Sequence, residues 1–453
     1  MKIVVVGLGK TGTGLIKNLS AENYDIVGVD ADGARVQDVI EKYDVNGVVG
    51  NGCLPEILEE AGAKDADLLI AVTPGDERNI LCCLVGKSLG ARHLIAQIRS
   101  PEYYTNFELL GEKFGVNRFF NLESVLSSRI TRVLKAPASV NLSSFGGGRL
   151  EIAEFPVPEK SKAVGKKIAD LKTARKKDFL IVAVERGDGV IVPNGDTVIE
   201  EGDVLNVCAG HRELRDVLGY FGVEKRKIES VMILGAEETT YFLASELLDE
   251  GLAVKVIGKE RDKCERLKER LGALNVVCDD YNNKEVLMRE GIEETDALVA
   301  MAPSDENNIV ASLFARTHSI SKVVTVVGSD LYREMLEDIS LNLVYSPYEL
   351  AGASIATYVR SINVPEDSQI VSMQKIAGGE AEALQFNIGK NLAFVGKKVV
   401  ELSKKMKSGV LICAVVRGRS PVIPNGETEL EEGDDIVVVS LKKRITKLED
   451  ILK

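Results

Sequence analysis

The chain of 453 residues contains the same two-part unit twice. The segment Asp65–Glu77 returns about 229 residues later as Thr295–Glu306, with the same apolar run at its centre. Farther along, Ile191–Asp196 returns at nearly the same offset as Val422–Glu427. A shared offset across half the chain indicates that the whole unit was duplicated, and each copy is long enough to bury its own cores. The chain is therefore expected to fold as two similar halves.

Composition narrows the class of protein and of partner. Apolar residues make up 45% of the chain, which is typical of a soluble globular protein. The formal net charge of −12 argues against a nucleic-acid partner, which needs clustered Lys and Arg. The seven cysteines include no C-x-x-C pair, so free thiols in a reducing cytosol are expected. No apolar run approaches the ~20 residues that cross a bilayer, so any membrane role requires a protein partner.

Short apolar runs alternate with helical patterns at the start of each half. In the first half the runs are continuous rather than alternating, as in a parallel sheet that helices cover on both faces. The predicted strands are Ile3–Val6, Asp25–Val29, Gly47–Val49, Leu68–Val72, Leu94–Ile98 and Arg118–Phe120. This pattern predicts an α/β fold with two doubly wound, Rossmann-like parallel-sheet lobes.

A smaller α+β domain is predicted after each lobe. In the first copy its strands lie near Leu150–Phe155, Leu180–Glu185 and Val204–Ala209, and the Ser- and Gly-rich segment Asn141–Gly148 is interpreted as a linker. The resulting four domains cover residues 1–137, 138–225, 226–363 and 364–453. The helix Glu123–Leu134 either packs on its own sheet or contacts a partner lobe.

The first lobe opens with a glycine-rich loop between a strand and a helix. In Gly7-Leu8-Gly9-Lys10-Thr11-Gly12, the first glycine allows a tight turn, the second lets backbone approach a pyrophosphate, and the third allows close packing of helix and strand. The phosphates are then expected at the N-terminus of the following helix, where free N–H groups favour anions.

Residues at the ends of other strands complete this predicted site. Asp30 closes the second strand, where a carboxylate can bond both ribose hydroxyls, which favours NAD over NADP, although Arg35 complicates this preference. Two further segments follow the third and fourth strands and end at the same sheet edge. They are Gly50-Asn51-Gly52 and Val72-Thr73-Pro74.

The second lobe departs from this pattern at each key position. Gly235-Ala236-Glu237-Glu238-Thr239-Thr240 keeps only the first glycine, and Glu237 brings a carboxylate to the place where phosphate oxygens approach. Its second strand ends at Gly258, so the ribose acid is absent unless Glu260 reaches in. The sequence predicts one nucleotide site per chain.

No arrangement of residues suggests catalysis. None of the three histidines, at 93, 211 and 318, belongs to a paired arrangement with Asp or Ser that is typical of catalysis, and metal-ligand or nucleophile motifs are absent from the sequence. The repeated Pro-Asn-Gly turns in the small domains are typical of hairpins. The sequence therefore predicts a binding protein rather than an enzyme, with no catalytic and no metal-ligating residues.

These residues resemble the RCK (regulator of potassium conductance) family, and in particular the regulatory subunits of Trk potassium uptake systems. The resemblance covers essentially the whole chain and rests on Val5–Gly9 with Asp30, on Asp76-Glu77-x-Asn79 and on Ile98-Arg99-Ser100-Pro101. The doubled Pro-Asn-Gly and Glu-Gly-Asp motifs of the small domains belong to it as well.

The resemblance implies a cytoplasmic regulator, peripheral on the inner face of the membrane, that gates a separate integral membrane potassium transporter. It implies a homo-oligomer, with four chains forming a ring of eight lobes, and NAD(H) or competing ATP and ADP as ligands. The nucleotide contacts that it implies are Gly7 to Thr11, Asp30, Asn51, Gly52, Thr73 and Pro74, with Arg99 near the position of Gln97, where many relatives have a basic residue.

Two other functions remain open at this point. One is an NAD-dependent oxidoreductase, because the first lobe taken alone has the sequence pattern of one, although the second domain offers no proton-transfer residue over the nicotinamide. The other is an RCK regulator of a different cation channel or antiporter.

Overall fold

The computed structural model describes most of the chain. The described residues are 1–20, 24–135, 140–173, 179–187, 189–223, 228–318, 320–338, 343–362, 370–389, 393–418, 420–441 and 445–453. The three predicted domain boundaries, at 137/138, 225/226 and 363/364, lie outside these ranges. The chain divides into two compact units, Met1–Thr131 with Ile228–Ala356 and Arg132–Lys227 with Thr357–Lys453.

The first lobe is a six-stranded parallel sheet in the order β3-β2-β1-β4-β5-β6. Its strands are β1 Lys2–Val6, β2 Asp25–Asp30, β3 Asn46–Val49, β4 Leu68–Ala71, β5 His93–Gln97 and β6 Arg118–Phe120. Its helices are α1 Lys10–Ser20, α2 Gly33–Tyr43, α3 Pro55–Glu60, α4 Asp76–Leu89, α5 Pro101–Phe114 and α6 Leu122–Lys135. The order reverses beside β1, and ligands of doubly wound folds bind at such a switch point, outside the carboxyl ends of the strands.

The first small domain is a five-stranded antiparallel sheet in the order β10-β9-β11-β8-β7. Its elements are β7 Asn141–Phe145, β8 Leu150–Pro156, α7 Ile168–Thr173, β9 Phe179–Arg186, β10 Gly189–Ile191, β11 Val204–Gly210 and α8 His211–Phe221. The prediction of a linker over Asn141–Gly148 is wrong, because Asn141–Phe145 forms an edge strand with Leu142 and Phe145 buried. Only the three glycines form a turn.

The second lobe repeats the first, in the parallel order β14-β13-β12-β15-β16-β17. Its strands are β12 Ser230–Leu234, β13 Ala253–Gly258, β14 Asn275–Cys278, β15 Ala297–Ala300, β16 Lys322–Val326 and β17 Val344–Tyr345. Its helices are α9 Glu238–Asp249, α10 Arg261–Arg270, α11 Lys284–Arg289, α12 Asp305–Thr317, α13 Asp330–Asp338 and α14 Pro347–Ile362.

The second small domain repeats the five-stranded antiparallel sheet, in the order β18-β19-β22-β20-β21. Its elements are β18 Ile370–Ile376, β19 Ala381–Asn387, α15 Val399–Ser403, β20 Val410–Arg417, β21 Ser420–Val422 and β22 Asp435–Leu441. The predicted fold class is confirmed, since two doubly wound lobes alternate along the chain with two small α+β domains.

The two small sheets share one apolar core. Residues of both, such as Cys208 and Cys413, lie in one buried cluster. The Gly146 N–H donates to Gln385 Oε1 at 2.9 Å, and the Ala377 N–H donates to Glu154 Oε2 at 3.2 Å. The duplicated units therefore bury apolar surface against each other.

The repeated Glu-Gly-Asp motif of the small domains has a structural role. Asp203 is almost fully buried and accepts hydrogen bonds from Arg186 Nε and Nη2, each at 2.8 Å. Arg417 and Asp434 repeat this arrangement in the second small domain. Burial alone would raise the pKa of Asp203, but the hydrogen bonds from Arg186 hold that pKa below its usual value.

Candidate nucleotide site

The glycine loop has the geometry that its sequence predicts. Gly7 follows β1 with φ of +98°, and its N–H donates to Val29 O at 2.8 Å. A Cβ on Gly12 would lie 1.8 Å from Gly7 O, so the loop and α1 can meet only at a glycine. A Cβ on Gly9 would find its nearest neighbour, Arg35 Nη1, at 4.0 Å. The space beside Gly9 is therefore open to a ligand.

Asp30 ties the loop to the end of β2. Its Oδ2 accepts the Leu8 N–H at 2.7 Å and its Oδ1 accepts the Asp32 N–H at 2.9 Å. Arg35 Nη1 lies 3.9 Å from Asp30 Oδ2, and Arg35 also lines the cavity. The carboxylate thus has a fixed position at the cavity edge, with lone pairs left for further donors.

A buried asparagine holds the ends of β4 and β5 together. Asn79 Oδ1 accepts the Thr73 N–H at 2.7 Å, and Asn79 Nδ2 donates to Thr73 O and to Gln97 O. At the start of the same helix, Asp76 accepts the N–H groups of Arg99 and Ser100, each at 2.9 Å. The motif Asp76-Glu77-x-Asn79 therefore positions backbone around the cavity.

These elements surround a cavity of about 550 Å³. Predicted site residues that line it are Gly7, Gly9, Lys10, Thr11, Asp30, Asn51, Gly52, Thr73, Pro74 and Arg99. Three others contribute differently. Leu8 is buried and supplies the N–H to Asp30, Gly12 packs on Gly7, and Gln97 is fully buried. The side-chain amide of Gln97 has no hydrogen-bond partner among the described residues and does not line the cavity.

Several lining residues were not predicted. Arg78 and Cys82 come from α4, Leu122 and Glu123 begin α6, and Tyr348 comes from α14 of the second lobe. Burial raises the pKa of Glu123, against the effect of nearby Arg99, and its Oε2 has no hydrogen-bond partner among the described residues. Helix periodicity alone does not reveal such residues, because their approach to the loop depends on packing between elements.

The charges around the cavity suit a diphosphate. The lining includes the four cationic side chains of Lys10, Arg35, Arg78 and Arg99, and the two carboxyl groups of Asp30 and Glu123. The first turn of α1 adds N–H groups that have no acceptor within the helix. Among the described residues, no cluster of His, Cys, Asp and Glu could hold a metal ion.

The corresponding loop of the second lobe is occupied by its own side chains. Lys263 Nζ donates to both oxygens of Glu237, at 2.7 and 2.9 Å, and to Glu260 Oε1 at 2.6 Å. A Cβ on Gly258, the counterpart of Asp30, would lie 2.6 Å from Cys264 Sγ and 2.7 Å from Ala236 Cβ. An ion cluster and tight packing thus replace the phosphate loop and the ribose acid.

The scaffold of the second lobe is nevertheless kept. Asn308 bonds Ala302 and Val326 as Asn79 bonds Thr73 and Gln97. Asp305 accepts the N–H groups of Gly328 and Ser329, as Asp76 does in the first lobe. The second lobe has therefore lost ligand-binding groups but not the contacts that hold its strand ends.

The contacts between the two lobes include residues of α1 and α6 in the first lobe and of α9, α13 and α14 in the second. Ser128 Oγ donates to Glu246 Oε1 at 2.8 Å, so α6 does contact the other lobe of the same chain. Lys17 on α1 pairs with Asp330. A Cβ on Gly352 of α14 would lie 2.3 Å from Asn18 Nδ2 of α1. The helix that begins at the phosphate loop is thus packed directly against the second lobe.

Fold and cavity together define a tandem protein of two Rossmann-type lobes, each followed by a small antiparallel domain, with a glycine-loop cavity in the first lobe. The TrkA-N domain model matches residues 3–120 and 231–347, and the TrkA-C domain model matches residues 152–222 and 383–453. The chain therefore belongs to the TrkA family, as the sequence motifs predict.

Three curated relatives align over at least 96% of their own length. The Trk system potassium uptake protein TrkA of Halomonas elongata is 29% identical over 450 residues, covering 98% of this chain and 96% of that protein. A TrkA homolog of Archaeoglobus fulgidus is 29% identical over 455 residues, covering both chains completely. TrkA homolog 1 of Methanosarcina mazei is 30% identical over 463 residues, also covering both completely.

Solved structures show the same fold. The GsuK RCK domain aligns with a TM-score of 0.63 at 20% identity, covering 97% of this chain and 92% of that one. The GsuK channel bound to NAD aligns with a TM-score of 0.63 at 20% identity, covering 97% of this chain and 77% of that one. At this identity the likeness bears on fold alone.

Proposed function

We propose that this chain is a nucleotide-sensing regulatory subunit of a Trk-type potassium uptake system and that NAD(H) binds in the first-lobe cavity. The observation that carries the proposal is the contrast between the lobes. The first lobe combines an open glycine loop, Asp30 and Arg99 around a cavity. In the second lobe, Lys263 and Glu237 occupy the corresponding loop. The names of the full-length relatives support the role in potassium uptake.

The cavity fits a dinucleotide in its chemistry. Its pyrophosphate would lie at Gly9 and the first turn of α1, and the adenosine ribose would meet Asp30. The other nucleoside would lie toward Thr73, Pro74 and Arg99, because β4 and β5 continue the sheet on the other side of β1. ADP would share the first two contacts, in line with a GsuK structure bound to ADP.

Regulation would follow from the contacts between the lobes. A ligand at the N-terminus of α1 would contact a helix that itself contacts the second lobe. This helix packs against α14, and its Lys17 forms an ion pair with Asp330. A ligand shifts a conformational equilibrium only by its difference in affinity for the two states, typically about 1–3 kcal/mol per site. In a ring of several chains, the free-energy differences contributed by the individual sites would add up.

The proposed partner is an integral membrane potassium transporter on whose cytoplasmic side the regulator assembles, with four chains giving eight lobes. Within the described part of the chain, no helix has the length and hydropathy needed to span a membrane. Contact with the membrane would then occur through the transporter.

Reconstitution tests this function. A Trk-type potassium transporter from the same organism would be placed in proteoliposomes, and potassium flux measured with the full-length regulator, with and without NADH. We expect co-purification of the two proteins and a flux that changes with NADH. The Asp30→Ala variant should still bind the transporter but should lose the response to NADH.

Two outcomes would contradict the proposal. If the regulator does not bind the membrane protein, the partner is wrong, and another cation channel or antiporter should be tested in the same assay. If NADH is instead consumed in the presence of a small carbonyl compound, the first lobe belongs to an oxidoreductase.

A further inference from the structure

Tyr348 reaches the first-lobe cavity from the second lobe. It is the second residue of α14 and lines the cavity together with Arg99, Leu122 and Glu123. Arg99 follows β5 and Glu123 follows β6, whereas Asp30 ends β2 on the other side of β1. Tyr348 therefore belongs to the half of the cavity that is distant from the adenosine position.

Two glycines make room for this tyrosine. A Cβ on Gly14 of α1 would lie 3.2 Å from Tyr348 Cβ, and a Cβ on Gly328 would lie 3.1 Å from Tyr348 Cε2. The first contact is made by the phosphate-loop helix and the second by the loop after β16. The side chain is thus held between the two lobes, which limits its rotamer freedom.

The hydroxyl of Tyr348 is available to a ligand. It makes no hydrogen bond with any described residue. Burial raises the pKa of Tyr348, Arg99 acts in the opposite direction, and Asp305 and Glu123 add to the rise. The phenol is therefore protonated at neutral pH and can donate a hydrogen bond.

The repeat explains why the second lobe supplies this residue. Tyr348 stands second in α14, as Glu123 stands second in α6. Gly328, whose N–H is held by Asp305, corresponds to Arg99, whose N–H is held by Asp76. The second lobe thus has Gly328 at the position of Arg99 and Tyr348 at the position of Glu123. The ring of Tyr348 lies against Gly328.

We propose that Tyr348 is a specificity residue of the first-lobe site and that its hydroxyl donates a hydrogen bond to the nicotinamide-side ribose of a dinucleotide. This inference rests on the proposed nucleotide site. ADP ends at its second phosphate and has no such ribose, so the contact distinguishes a dinucleotide from a mononucleotide. Because the donor belongs to the second lobe, only the longer ligand would bridge both lobes.

Calorimetry on the full-length protein tests this inference with NADH and ADP as ligands. Tyr348→Phe removes only the hydroxyl, which has no hydrogen-bond partner among the described residues, so the fold should be unaffected. We expect the affinity for NADH to fall about fivefold, as for loss of one hydrogen bond, and the affinity for ADP to stay within about twofold. Tyr332→Phe is the matched control, since its hydroxyl bonds Glu306 on the same lobe outside the cavity lining.

A second variant perturbs the ring without changing a lining residue. In Gly328→Ala the added methyl group should displace the ring of Tyr348, and NADH should again be affected more than ADP. Equal losses for both ligands, or no loss in Tyr348→Phe, would refute the specificity role while leaving the nucleotide site intact. If the unmodified protein binds neither ligand, the nucleotide site and this inference are both wrong.

Discussion

Replacing Asp30 with alanine removes the carboxylate at the end of β2. In the proposed complex this carboxylate accepts hydrogen bonds from two ribose hydroxyls. A hydrogen bond to a charged group contributes about 1.5–3 kcal/mol, so the pair contributes about 3–6 kcal/mol. The affinity for NADH should therefore fall roughly a hundredfold to ten-thousandfold.

The same substitution also affects the free protein. Asp30 accepts the Leu8 N–H at 2.7 Å, and losing this acceptor leaves a part-buried donor without its partner. That loss costs about 1–3 kcal/mol of stability, which lowers Tm by several degrees. Thermal unfolding must accordingly be measured beside binding, so that weakened affinity is not confused with unfolding.

A neighbouring carboxylate provides the control. Asp32 caps α2 through the Ala34 N–H at 3.0 Å and does not line the cavity. Asp32→Ala should cost about 1 kcal/mol of stability and leave NADH affinity within about threefold. If calorimetry finds that folded Asp30→Ala retains the affinity of the unmodified protein, the assignment of the ribose site is wrong.

Three further predictions concern stoichiometry, the loop and pH. Calorimetry should give one nucleotide per chain, because Glu237 and Lys263 occupy the second loop, and a value of two would overturn this. Gly9→Ala should keep the Tm of the unmodified protein but bind NADH more weakly. Gly12→Ala should unfold at a markedly lower temperature, because its Cβ would lie 1.8 Å from the carbonyl oxygen of Gly7. Similar Tm values for the two variants would contradict the packing argument. Burial, together with Glu154, raises the pKa of Glu185 from 4.5 to about 7. Between these two pH values the folded protein retains a proton that the unfolded chain releases, so the stability falls as the pH rises from 4.5 to about 7. Glu185→Gln should therefore raise Tm at pH 8 by a few degrees and leave it unchanged near pH 4.5, as measured by calorimetric scans.

Much of the lobe architecture could be predicted from the sequence. Continuous apolar runs and glycine spacing depend on local periodicity, so all six strands of the first lobe begin and end within one residue of the predicted positions. The linker prediction failed because small polar residues suit both a loop and an edge strand, and only the burial of Leu142 and Phe145 distinguishes them.

The cavity was predictable only in part. Gly7 and Gly9 follow β1 and Asp30 ends β2, and a parallel sheet brings such strand ends together. Tyr348 lies more than 200 residues away, and its approach depends on how α14 packs against α1. The periodicity of the sequence does not predict that contact. Tyr348 can therefore be assigned to the cavity only from the packing of the two lobes.

The tight packing at the end of β13 limits how the second lobe can change. A carboxylate at position 258 has no room until Cys264 and Ala236 have been replaced by smaller residues. Shrinking either neighbour alone opens a void without supplying a ligand, so every single step toward a second site lowers stability first. The divergence of the two halves is therefore hard to reverse one mutation at a time. An engineer who wants two sensors per chain should transplant the loop, the strand end and the start of the next helix together.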